Sequence, residues 1–178
     1  MKWVTRDHIH MDRVASPWLI LRHIDPDGEI GFLPFGNTYV IPEGAIPFAI
    51  PGVELGPHDA NGSTFRKLMR KYDLRDPALE LMGDIVESGV HHVFHHHEPG
   101  YSVAHLKEPV GVGLDAIAHG MLCAFPDDAE NLEMSMAMYD GLYMYCRSVL
   151  LIREKPEIAR LPPPALWDRQ REELRRAK

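Results

Sequence analysis

The sequence predicts a mostly helical α+β fold, a helical core with a few short N-terminal strands. Three observations predict it. Apolar residues recur at helical spacing through most of the second half; strand-like runs are short and confined to the start; Gly and Pro cluster between residues 36 and 62. KWVT reads as the first strand. Ser16-Pro17-Trp18 then reads as a helix start, with Ser16 as N-cap and Pro17 at the first helical position. Val14, Trp18 and Leu21 share a face, and Asp25-Pro26-Asp27-Gly28 should stop that helix. Glu29 to Phe35 follows as a strand. The Gly/Pro-rich segment should be irregular, with short strands, and long enough to wall a site.

Helices follow. Ser63 or Thr64 caps one through Tyr72, and Asp76-Pro77 opens another that leads into a run of histidines. A third spans Gly113 to Phe125. Asp127 with Glu130 forms a capping box for a fourth, reaching about Ile152. Leu132, Met136, Tyr139, Tyr143, Cys146 and Leu150 make its stripe, and Met134, Met138, Leu142 and Tyr145 broaden it, so burial over much of its circumference is expected. Leu161-Pro162-Pro163-Pro164 reads as a stiff linker before a charged helical tail. The organisation is one domain over 1–160 and an appendage over 161–178.

A chain of 178 residues suits one core. Its formal net charge of -7 argues against a nucleic-acid partner, since phosphate binding draws on Lys and Arg. The first residues lack an apolar stretch of signal-peptide type, and no apolar run would span a membrane, so a soluble cytoplasmic protein is expected. Cys123 and Cys146 sit in apolar helical contexts and are expected as core thiols. There is no G-x-G-x-x-G, Walker loop, G-x-S-x-G, HExxH or CxxC.

The blocks KWVTR…DRVASPWLILRHIDPDGEIGFLP, GAIPFAIPGVELG and FPDD…MYDGLYMYCR, from Lys2 to Arg147, resemble the C-terminal domain of chromate-resistance protein B. The resemblance implies a bacterial protein tied to oxyanion or metal stress, with a mixed, mainly helical fold. Two departures stand out. Family members often read ACPWLI where this chain has Ala15-Ser16-Pro17, and carry a His and a Cys after the ELG block. Here Glu54-Leu55-Gly56 is followed by His58 without a cysteine. Thiol-based chromate chemistry is therefore not expected.

The histidine run HHVFHHH holds His91, His92, His95, His96 and His97, five of the eleven histidines. It is either a solvated segment, basic at low pH, or a source of metal ligands. If the helix from Pro77 persists to His91, then Asp84, Glu87 and His91 share a face, and Glu87 and His91 could converge on one ion. Seven residues can hardly surround an ion unaided, so residues from elsewhere must join. Glu54 with His58 is a second constellation. Asp115 with His119, four apart on a helix, is a third, in which Asp115 either orients the imidazole or stabilises its helix start. Asp12-Arg13 and Asp140 lie in blocks of the resemblance; Arg13 could hold an anion bidentately, although pairing among these charges is the plainer role.

The leading expectation is a metal-binding protein using His58, Glu87, His91 and His92 for Zn, Fe or Mn. It could be a metal-dependent enzyme on a small anionic molecule, with Arg13 and Glu54 at the reacting centre. The alternative is a non-catalytic sensor or regulatory module for an oxyanion or metal, with the Met/Tyr-rich helix and the tail forming a homodimer interface. An inert interaction scaffold is a third possibility.

Overall fold

The computed structural model describes residues 1–36 and 39–176; Asn37, Thr38, Ala177 and Lys178, at the start of the irregular segment and the end of the tail, lie outside it. Strands β1 (Lys2–Arg6), β2 (Glu29–Leu33) and β3 (Ile46–Pro47) form one parallel sheet in the order β2-β1-β3. Helices are α1 (Asp12–Leu19), α2 (Thr64–Lys71), α3 (Pro77–His95), α4 (Val110–Ala124), α5 (Asp128–Glu154) and α6 (Pro163–Arg176). The expected mostly helical α+β class is the observed one. Among the described residues, no helix is long and apolar enough to cross a membrane.

β1 is the central strand, and its Trp3, Val4 and Thr5 are buried, as parallel strands covered on both faces require. Trp3 packs edge-on to Phe48 and near Tyr72, while its indole N–H donates to Asp25 at 2.9 Å. The core continues through Trp18, Phe65, Leu68, Met82, Ile85 and Tyr139.

Three helix starts follow their local caps. Ser63 Oγ accepts from the Arg66 amide, Asp76 from that of Ala78 and Asp127 from that of Glu130, each worth about 1 kcal/mol. The start of α1 differs from expectation. The helix begins at Asp12, not after Ser16, and Pro17 lies inside it. The Asp12 carboxylate, fully enclosed, accepts from the amides of Thr64 (2.7 Å) and Phe65 (3.0 Å) at the head of α2, and from Ser16 Oγ. Ser16 is thus spent on Asp12 rather than on a cap. The α-helix, with Pro17 in its interior, is followed by a π-helical turn over Ile20–Ile24.

Two expectations about burial are corrected. Cys146 is buried, but Cys123 is exposed. On α5, Leu132, Tyr139 and Cys146 are buried, whereas Met134 and Tyr145 face outward, because only one side of the helix meets α1 and α3. The tail also differs: α6 starts at Pro163, where two prolines fit a first helical turn, and it docks on α5. Lys155 pairs with Glu173 and Gln170 bonds to Ser148.

Candidate anion-binding site

The site is built on the link between β1 and α1. His8 and Met11 hold positive φ angles of 56° and 48° without being glycine, a conformation that costs free energy and must be held by its surroundings. α5 holds it. The Asp128 carboxylate accepts from the amides of His8 and Ile9, both at 2.9 Å, and Tyr139 Oη donates to the Met11 carbonyl. Burial pushes the Tyr139 phenol up, so it remains a neutral donor. Arg13 donates to the Asp7 carbonyl at 2.8 Å.

Beside this loop lies a pocket of about 320 Å³. Arg6 at the end of β1, His10 in the loop, Arg13 on α1 and His58 from the Gly/Pro-rich segment give it positive or potentially positive groups, Val90 and Phe94 of α3 give it an apolar side, and Asp12 is the one carboxylate in its wall. Ala49, which also lines it, is a third non-glycine residue at positive φ. Neither Arg6 nor Arg13 forms an ion pair with a carboxylate among the described residues, and the buried Nε of Arg6 has no hydrogen-bond partner. Both guanidinium groups lie over the ring of Phe35, at 4.7 and 5.8 Å, a cation–π contact that leaves the N–H groups free, among the described residues, except for the Arg13 bond to the Asp7 carbonyl. Burial lowers the Arg13 pKa, and repulsion from Arg6 adds to this against the pull of Asp128, Asp7 and Asp12. A guanidinium nonetheless keeps its charge at neutral pH.

His10 closes the inner end. Its Nε2 sits 3.2 Å from Asp115 Oδ1 on α4, although without hydrogen-bond geometry. Burial lowers the His10 pKa; Asp115 opposes that, while His119 and Arg13 reinforce it. On the other oxygen of Asp115 stands His92 Nε2 at 3.9 Å, and the Nδ1 of His92 is 2.6 Å from Tyr101 Oη.

The residues singled out from the sequence fall in three places. Arg13 and His58 share the pocket. His58 also borders a shallower depression with Glu87 and His91, but there Glu87 accepts from the Ser63 amide and hydroxyl and faces Arg66 at 3.6 Å. Asp84 is likewise taken by Arg66 and Lys107. Glu54 is exposed on another face, paired with Lys71 at 2.5 Å. His92 turns away from His91 toward Asp115. His96 and His97 are exposed, and His95 meets Glu98. Among the described residues, no three His, Cys, Asp or Glu side chains are already placed to hold one metal ion. Asp140 is a structural pair, accepting from Trp18 and Arg22. Sequence reasoning missed Arg6 and His10. The only available signal was the short spacing Arg6, His10, Arg13 flanking a strand end.

Residues 3–146 match the model of the family described as ChrB, C-terminal domain. The chain belongs to this family. Protein ChrB of Cupriavidus metallidurans is 29% identical over 148 residues, a stretch covering 83% of this chain and 41% of that protein. The chain therefore spans about two-fifths of the length of that relative. No solved structure matches it. The matched region contains every residue of the pocket and ends within α5, so α6 lies beyond it.

Proposed function

We propose that this domain is an oxyanion-binding module serving chromate or metal resistance, with a sensing rather than a catalytic role. One observation carries the reading: two guanidinium groups line a pocket in which neither is ion-paired among the described residues, and the one carboxylate in its wall, Asp12, is spent on the amides of Thr64 and Phe65. Like charges held together in a half-buried site cost stability, and a tetrahedral dianion offsets that cost. Arginine forks match oxyanion geometry bidentately, and the positive-φ loop fixes Arg6, His10 and Arg13 relative to one another before a ligand arrives. Membership of the chromate-resistance B family makes chromate the first ligand to try, with sulfate as its isosteric competitor.

The test is equilibrium dialysis of chromate against the full chain, repeated with Arg6→Met and Arg13→Met. Each substitution should weaken binding at least tenfold, and excess sulfate should displace chromate competitively. Undetectable binding, or binding untouched by both substitutions, overturns the reading. Steady turnover of chromate by the protein would replace the sensing role with an enzymatic one.

A further inference from the structure

A second polar cluster lies behind the pocket, shares His10 with it, and is centred on a carboxylate, which suits a cation rather than an anion. Asp115, on α4, presents its two oxygens to two imidazole nitrogens from separate elements: His10 Nε2 at 3.2 Å and His92 Nε2 at 3.9 Å. His119 lies one turn after Asp115 on the same helix, its ring centre 6.5 Å from that of His10. We propose that His10, His92 and Asp115, with His119 at the rim, form a binding site for one divalent transition cation of the zinc type.

Several features favour an ion over simple pairing. The donor set of imidazoles and one carboxylate is that of zinc and of related transition metals. Around a tetrahedral zinc, neighbouring N and O ligand atoms stand about 3.4 Å apart, given metal–ligand distances of about 2.0–2.1 Å. His10 Nε2 stands near that separation from one oxygen of Asp115 and His92 Nε2 beyond it from the other, so the three donors do not yet surround one point among the described residues, and binding has to draw the His92 ring inward. Nε2 of His10 is buried without a hydrogen-bond partner, although it faces a carboxylate that would readily accept one. A buried imidazole nitrogen left so is a ligand atom in waiting. His92 is oriented from behind by Tyr101, whose hydroxyl at 2.6 Å from Nδ1 leaves Nε2 to face Asp115. Such an outer partner, fixing the tautomer and the ring plane, is usual behind metal-bound histidines.

The site goes beyond the anion reading and does not depend on it. Asp115, His92 and His119 are not pocket residues; only His10 is common to both.

Zinc chloride is titrated into the untagged, chelator-stripped full chain and followed by calorimetry, with cobalt(II) chloride as an optical probe of coordination. The histidine run could bind zinc by itself, so a triple variant, His95→Ala, His96→Ala and His97→Ala, is measured alongside Asp115→Asn and His10→Gln. Wild type and the triple variant should bind one zinc and give the visible absorption of four- or five-coordinate cobalt. Asp115→Asn and His10→Gln should lose at least tenfold in affinity and most of the cobalt band, while melting in chelator like wild type. Arg13→Met, which disables the anion pocket, should bind zinc as wild type does. Absence of stoichiometric zinc binding by wild type overturns the proposal. So does binding that survives Asp115→Asn but disappears in the triple variant, which would put the ion on the histidine run. Should Asp115→Asn unfold, His119→Gln, at an exposed position, takes its place and should weaken zinc measurably.

Discussion

Two regions of this molecule handle arginine in opposite ways. On the α2–α3 face, Arg66 is met by Glu80, Asp84 and Glu87, and Lys107 shares Asp84. At the β1–α1 link, Arg6 and Arg13 line one pocket and neither is ion-paired with a carboxylate among the described residues; Asp12 in the same wall is turned to the head of α2. The first arrangement is a satisfied network whose role is to fasten α2 to α3. In the second, charge is held apart from its natural partners by a backbone that is itself under strain at His8, Met11 and Ala49. Strain and uncompensated charge in one place mark where a ligand completes the structure; compensated charge marks architecture.

The contrast can be broken in several ways. Arg66→Met should have the largest effect on stability, about 3 kcal/mol in chemical denaturation, because three carboxylates lose their common partner. Chromate binding by the folded fraction should not change. Arg13→Met should do the reverse, weakening chromate at least tenfold in dialysis while stability stays within about 0.5 kcal/mol, since removing one of two like charges relieves repulsion. A large loss of stability in that variant would mean that the pocket arginines are structural after all.

Asp140 provides a smaller test that depends on pH. Hydrogen bonds from Arg22 and Trp18 hold its carboxyl below the ordinary range. A carboxylate lowered in the folded state adds stability above its unfolded pKa, near 4, and that increment is lost as pH falls through the lowered folded value. Asp140→Asn should therefore be less stable than wild type at pH 7, and the two should converge in acid. Because Asp140 is half-exposed, the difference should be below about 1 kcal/mol. Smallest of all, Glu54→Ala breaks an exposed pair with Lys71 and should alter neither melting nor chromate binding beyond error. A marked loss of binding there would extend the site to a face that the geometry leaves out.

Much of the helical framework could be read from the chain because its signals are local. Ser63, Asp76 and Asp127 cap the helices they directly precede, and the β1 run is apolar where a central strand must be. The start of α1 could not be read, since Asp12 serves the head of a different helix and Met11 adopts a positive φ that no residue type announces. The same limit applies to the candidate sites. Arg13 and His58 drew notice by residue type and by family pattern. Arg6 is one arginine among many until the fold places it opposite Arg13. His10 gains meaning only from Asp115, which comes from the far side of the core, and the conspicuous histidine run contributes one inward imidazole, His92.

The crossing of α3 and α4 shows how that placement is set. Gly89 and Gly111 meet so closely that a methyl group on Gly111 would lie 2.5 Å from the Gly89 nitrogen and 2.6 Å from the Ile85 carbonyl oxygen. Going one turn along each helix from this contact leads to His92 on one side and Asp115 on the other. The bite of that pair is thus gauged by two missing side chains rather than by the polar groups themselves. A methyl added at Gly111 would act as a shim, opening the jaws between Asp115 and His92 while Arg6 and Arg13, carried by β1 and α1, keep their span.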